Sequence, residues 1–233
     1  MAARKKIDVR KTVMNIDGMW TPLDEQQRDF LVENSRIAVF RKNQSIFNEG
    51  DTPLSLMCLV SGKVKVFKGG VGRCQIIRMI SPGNMFGYRA YFAEENYQTS
   101  ATAVENSIVL AISLKAIETL VRENGNFAYA FIQLLSGHLG TADRRTVSLT
   151  QKHIRGRLAE SLLVLEAKYG HEADGTTLNV YLSREDIAHL SNMTTSNAIR
   201  TLASFADEQI IALDGRKIRI IKDDELKHIS EMG

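Results

Sequence analysis

The hydrophobic period of this chain changes once, near Leu114, and that change limits what it can fold into. From about Ile37 to Ser113 apolar residues fall in short alternating runs. RIAVFRKNQSIF stops at Glu49-Gly50-Asp51, and Val64 and Val66 alternate with Lys63 and Lys65 after a Ser61-Gly62 turn. Gly69-Gly70 and Gly72 turn the chain back into CQIIRMI, Pro82-Gly83 is another turn signal, and ATAVENSIVLAIS closes with two more runs. Alternation places one face in a core and one in water, and repeated runs at turn spacings of roughly 8–12 residues imply a sandwich or barrel.

Beyond Leu114 the spacing is helical. Ser113 can cap LKAIETLVREN, with Ile117, Leu120 and Val121 on one face. After Gly125 a longer run places Ala128, Phe131, Leu135, His138, Ala142, Arg145 and Leu149 at heptad spacing, a coiled-coil-like seam with two polar intrusions. The competing reading is a helix packed on its own barrel. HIRGRLAESLLVLEAKYG is a further amphipathic helix, ended by Gly170.

The segment LSREDIAHLSNMTTSNAIRTLASFADEQIIALDGRKIRII carries the strongest chemistry. Ser183 followed by Asp186 is an N-terminal capping pattern, and Thr194 can cap a second helix after a short SNM turn. On that second helix Ala198, Leu202 and Phe205 face inward, which leaves Thr195, Ser196, Ile199 and Arg200 outward. Small residues let a helix approach a major groove, where an arginine can pair bidentately with guanine O6 and N7. Asp214-Gly215 reads as the tight turn of a hairpin bearing Arg216, Lys217 and Arg219. The whole is a winged helix-turn-helix; a helical pair with a hairpin and no DNA is the bland alternative.

Composition narrows the rest. No apolar run approaches the ~18 residues of a transmembrane helix, and the basic N-terminus has no apolar segment of the secretory kind after it, so a cytoplasmic protein is expected. Residues 1–11 carry five Lys or Arg against Asp8, and read as a basic solvated arm. Residues 151–233 hold eleven Lys or Arg against thirteen Asp or Glu. Any nucleic-acid contact must therefore come from local placement rather than net charge.

The order of parts resembles the Crp/Fnr family of bacterial transcription regulators, from about Leu23 to Leu226. NEGD with LVSGKVKV is similar to the family's early barrel strands, ISPGNMFGYRAYF to its hairpin and short helix, and LSREDIAHLSNMTTSNAIRTL with IIAL to its DNA-binding signature. The resemblance implies an α+β chain: a jelly-roll (double-stranded β-helix) sensor domain at 21–123 after an arm at 1–20, a dimerisation helix at 124–150, and a winged helix-turn-helix at 151–233. It implies a homodimer on a two-fold symmetric operator in double-stranded DNA, and contact with RNA polymerase. Thr195, Ser196, Ile199 and Arg200 match the family's base-facing positions, and Arg184, Thr194 and Arg216 its phosphate-holding ones. Members reading a TGTGA-type half-site carry Arg and Glu where this chain has Thr195 and Ser196, so a different operator is expected, with one guanine read by Arg200.

The same comparison bears on what the barrel senses. In cyclic-nucleotide-binding members a Glu takes the ribose and an Arg the cyclic phosphate; here Tyr88 and Thr99 stand at those positions, beside Gly87, Arg89 and Ser100. Cyclic AMP bound in the usual way is therefore not expected, and Arg89 replaces the missing cation only if it points across the loop. An iron–sulfur cluster needs several cysteines, and the chain has Cys58 and Cys74 alone. Haem would need an axial ligand, for which His138 is the candidate. The expectation is an unidentified small-molecule effector, or a constitutive DNA-binding protein whose barrel is a scaffold. A cupin-like enzyme is the remote alternative: His138, His153, His171, His189 and His228 all lie outside 37–113, which removes the usual ligand set.

Overall fold

The computed structural model describes residues 8–14, 20–70 and 72–233. They divide into two compact units, Met1–Lys68 with Arg78–Leu139, and Gly69–Ile77 with Gly140–Gly233.

The first unit opens with helices α1 (Val9–Met14) and α2 (Glu25–Glu33). A reciprocal capping box starts α2: Asp24 accepts from the Gln27 amide and Gln27 accepts from the Asp24 amide. Strands β1 (Ser35–Phe40), β2 (Ser45–Phe47), β3 (Ser55–Ser61), β4 (Val64–Gly69), β5 (Cys74–Ile80) and β6 (Met85–Phe86) follow. A short helix α3 (Arg89–Phe92) precedes β7 (Ser100–Ala103) and β8 (Ser107–Ser113). The strands form two four-stranded sheets, ordered β1-β8-β3-β6 and β2-β7-β4-β5, with antiparallel pairing in every described register. Gly62 makes the β3–β4 turn at φ +93°, and a Cβ there would lie 2.3 Å from the Ser107 hydroxyl, so only glycine fits. The alternating text thus becomes the expected jelly-roll.

Helix α4 (Leu114–Glu123) buries Leu114, Ala116, Ile117 and Leu120, and Ser113 sits at its N-cap without a side-chain capping bond. The expected Ser113 cap is therefore positional only. Asn124 links the next helix, α5 (Gly125–Gln151): its Oδ1 accepts from the Phe127 amide, and its Nδ2 donates to Pro22 O at 3.0 Å.

Two expectations are corrected here. The basic arm of residues 1–11 is not a solvated tail throughout: Val9 on α1 packs against the first unit's core and Arg10 pairs with Asp29 at 2.7 Å, and just beyond the arm Val13 and Trp20 are buried, Trp20 stacking on Phe127 at 5.9 Å. Arg4, Lys5 and Lys6 lie outside the described residues. The heptad seam is also rotated. Phe127 and Phe131 are buried in the first unit's core and Leu134 packs on it, while the exposed apolar stripe of α5 is Ile132, Leu135, Leu139 and Ala142. One helix carries two apolar faces, and the inward one belongs to its own unit.

In the second unit α6 (Ile154–Tyr169), α7 (Arg184–Leu190) and α8 (Thr195–Asp207) are followed by hairpin strands β9 (Ile211–Asp214) and β10 (Lys217–Ile220) and helix α9 (Asp223–Met232). Leu158, Leu162, Ile187, Leu190, Ala198, Leu202, Phe205, Ile218 and Leu226 are buried. Gly156 and Gly233 approach so closely that a Cβ on Gly156 would lie 2.7 Å from Gly233 backbone, which brings α6 against the end of α9.

Candidate nucleic-acid interface

Each helix of the α7–α8 pair starts on the side chain expected to cap it. Ser183 Oγ accepts from the Asp186 amide at 3.0 Å, and Thr194 Oγ1 from the Asn197 amide at 3.2 Å. Between them Asn192 takes φ +51° and Met193 is buried, which makes the turn tight. Two arginines clamp that turn. Arg145 Nη2 donates to Leu190 O at 2.9 Å, and Arg157 donates to Ser191 O at 3.2 Å and Asn192 O at 3.3 Å.

On α8 the inward and outward sets separate as the spacing requires. Ala198, Leu202 and Phe205 are fully buried, Ser196 and Arg200 are exposed, Ile199 is 49 % exposed, and Thr195 is half-buried. The sequence reading missed Asn197, whose Oδ1 accepts from Arg200 Nη2. This (i, i+3) pair holds the guanidinium along the exposed face. It also missed Arg155, which braces the far end of α8. Arg155 donates twice to the Glu208 carboxylate at 2.7 Å and once to Ser204 Oγ, and its guanidinium lies 4.8 Å from the Phe205 ring centroid. The Arg155 pairing, together with Ser204 Oγ donating to Glu208 Oε1 at 2.6 Å, holds the Glu208 carboxyl down at about 2.

The hairpin turn is Gly215-Arg216 and not Asp214-Gly215. Asp214 is paired with Lys217 in the ladder, and Gly215 takes the first corner at φ +54°. This lifts Arg216 onto the exposed tip. Arg184 Nη2 donates to Gly215 O at 2.7 Å, which ties the start of α7 to the tip of the wing. Its Nη1 is buried without a protein partner among the described residues, and burial lowers the Arg184 pKa. Thr194 is exposed at the amino end of α8, where unpaired amides and the helix dipole favour an anion. The fold therefore brings Arg184, Thr194, Thr195, Ser196, Ile199 and Arg200 onto adjoining elements, with Arg216 on the wing.

The barrel residues separate instead. Gly87, at φ +82°, lets the chain turn so that Tyr88 points inward, 3 % exposed. Tyr88 Oη is 2.6 Å from His138 Nδ1, its ring lies edge-on to Phe131 at 5.4 Å, and Arg78 Nη2 donates to His138 Nε2 at 3.1 Å. His138 thus faces the core and not a seam, and both ring nitrogens are engaged; a haem iron would have to displace one of these bonds. Burial raises the Tyr88 pKa against the opposing Arg78 charge. Arg89 is exposed and pairs with Glu95 at 2.6 Å, Thr99 is half-buried, and Ser100 Oγ accepts from the Glu49 amide at 2.9 Å.

A second aromatic escaped the sequence reading. Tyr97 stacks on Phe47 at 3.9 Å and donates to Gly87 O at 3.0 Å, and with Phe86, Ala101 and Val109 it fills the barrel core. Burial first, then the Asp51 charge, pushes the Tyr97 phenol up to about 12. These residues do not fit a cyclic nucleotide held by a carboxylate and an arginine: Tyr88 is already bonded, Thr99 is neutral, and Arg89 is paired on the surface. Cys58 is buried and desolvation raises its thiol, while Cys74 is half-buried on β5. Among the described residues no group of three or more His, Cys, Asp or Glu converges as a metal site, and no helix is long and apolar enough to cross a membrane.

Residues 37–124 match the family model for the cyclic nucleotide-binding domain, and residues 156–229 that for the Crp-like helix-turn-helix domain. Among curated relatives, the chain is 25% identical to the CRP-like cAMP-activated global transcriptional regulator of Mycobacterium tuberculosis over 80% of this chain and 84% of that one. It is 27% identical to the anaerobic regulatory protein of Bacillus subtilis over 80% of each. Among solved structures, FixK2 from Bradyrhizobium japonicum superposes with a TM-score of 0.76 at 21% identity, over 84% of this chain and 96% of that one.

Proposed function

The chain belongs to the Crp/Fnr family of transcription regulators and carries its Crp-like helix-turn-helix DNA-binding domain; from that premise we propose that it binds a two-fold symmetric operator as a homodimer. The observation that carries this reading is the exposed face of α8, where Thr195, Ser196, Ile199 and Arg200 stand outward and Asn197 steadies Arg200. Arg200 reads one guanine, and Ile199 meets a thymine methyl. Thr194, Arg216 and Arg184 hold phosphates, Arg184 from the start of α7 beside the wing, to which its Nη2 is tied. The exposed stripe Ile132, Leu135, Leu139 and Ala142 supplies the dimer seam, and membership of the family implies half-sites one helical turn apart, ~34 Å. The protein acts in transcription rather than as an enzyme, in the cytoplasm, with RNA polymerase as the partner at the promoter.

For the barrel, the effector is not cyclic AMP in the usual pose. The Tyr88–His138–Arg78 chain of bonds favours the second reading as well: a barrel that closes on its own side chains and acts as a scaffold under a constitutive regulator. Selection of bound duplexes from a randomised DNA pool, followed by titration of cyclic AMP, haem and sugar phosphates against the enriched duplex, tests both. The operator reading fails if no duplex is enriched. The scaffold reading fails if a small molecule moves operator affinity through the barrel.

A further inference from the structure

Helix α7 has seven residues and ends at Leu190, so it cannot satisfy its own last carbonyls. Side chains from other helices take them up. Arg157, on α6, donates to Ser191 O and Asn192 O, and to Lys152 O just before its own helix. Arg145, on α5, donates through Nη2 to Leu190 O at 2.9 Å. A cation at the carboxyl end of a helix also suits the helix dipole.

Arg145 also reaches a part of the chain that Arg157 does not. The same guanidinium donates through Nη2 to Ile76 O and through Nη1 to Ile77 O, each at 2.6 Å, on strand β5. β5 is an edge strand of the β2-β7-β4-β5 sheet, where backbone groups are open to partners other than a strand. Gly69–Ile77 accordingly falls in one compact unit with Gly140–Gly233. Burial lowers the Arg145 pKa and the Glu160 charge opposes that shift. Three charge-assisted bonds from a planar fork compensate the lost water, and an ammonium cannot match that geometry.

On the reading of α8 as the operator-facing helix, we infer that Arg145 is a positioning residue for DNA recognition: it fixes the α7–α8 turn, and with it the direction of α8, against strand β5. One side chain thus carries a shift of β5 to the turn from which α8 starts. A strand of the sheet takes part in operator binding without any bound effector.

The test compares Arg145→Gln and Arg145→Lys with Arg144→Gln, all in the full chain. Arg144 is exposed and gives Nη2 to Thr141 Oγ1 at 3.1 Å, so its variant removes the same charge from the same helix and leaves the bonds to the turn in place. Hydrogen exchange is measured first, without DNA. The Ser191 and Met193 amides, bonded to Ile187 O and Ala188 O, should exchange about tenfold faster in Arg145→Gln, with α9 as in the parent. Affinity for a duplex enriched from a random pool should fall about tenfold, equally across single-base variants. The slope of log affinity against log salt should stay unchanged, because no phosphate contact is lost. Arg145→Lys should fall between the parent and Arg145→Gln on both measurements, and it carries the comparison if Arg145→Gln does not fold. The proposal is overturned if exchange in the turn is unchanged, if α9 exchange rises equally, or if Arg144→Gln acts as strongly. A salt slope lowered by about one also overturns it, since Arg145 would then be a phosphate contact. If no duplex is enriched, the operator reading fails, and exchange alone decides whether Arg145 fixes the turn.

Discussion

Tyr88 Oη lies 2.6 Å from His138 Nδ1, and Arg78 closes on the other ring nitrogen at 3.1 Å. A guanidinium only donates, so Nε2 is the acceptor, and the neutral imidazole carries its proton on Nδ1 and donates it to the phenol. The pair fastens the first half of α5 to the segment after β6 without any ligand. Tyr88→Phe keeps the edge-on contact with Phe131 and removes the bond. It should lower stability by about 1 kcal/mol in urea unfolding and leave cyclic AMP without effect on operator binding. A gain of cyclic AMP response in this variant would show that the phenol merely blocks a working nucleotide site.

Arg200→Ala should weaken operator binding by about 1–3 kcal/mol and relax preference at one base position. Uniform weakening across all operator variants would make Arg200 a phosphate contact. Asn197→Ala, which frees the guanidinium, should weaken binding less and keep the guanine preference; competition binding with single-base operator variants separates the two.

Leu139 is 63 % exposed on α5, between Leu135 and Ala142. Leu139→Glu places a charge in the proposed seam and should shift the protein from dimer to monomer in sedimentation. Operator affinity should fall by at least about tenfold with it, because one half-site alone remains.

Tyr97 gives a pH signature. Its folded pKa is raised from 10.0 to about 12, so its contribution to stability is whole below pH 10 and is lost as pH rises from there through about 12. Other groups titrate in that window, so the readout is a difference. The parent's melting temperature should fall more steeply than that of Tyr97→Phe between those limits, with the two curves parallel below.

Much of this was legible in the text of the chain. The alternation up to Ser113 and the helical spacing after it gave the order of layers, and the Ser183 and Thr194 caps marked both helices of the DNA-binding pair. The losses have physical causes. Phe131 and Leu135 sit four apart, and heptad spacing alone does not say that one is buried in its own unit while the other is half-open to solvent. Helix α2 was signalled by Asp24 and Gln27 three residues apart, a capping-box spacing that a reading for strands passed over. Asn197 and Arg155 act through other side chains, so residue type alone did not mark them. At the barrel, replacement of a charged pair by Tyr88 and Thr99 was visible, but the partners Arg78 and His138, ten and fifty residues away, were brought there only by the fold.

The central claim is a dimer that reads a symmetric operator through α8. The most direct measurement is selection of duplexes from a randomised pool by the purified full chain, with the stoichiometry of the enriched complex determined by sedimentation. The account predicts an inverted repeat with half-site centres one turn apart, one guanine per half-site that loses its preference in Arg200→Ala, and two chains per duplex. Enrichment of an asymmetric site by a single chain, or no enrichment at all, would contradict it.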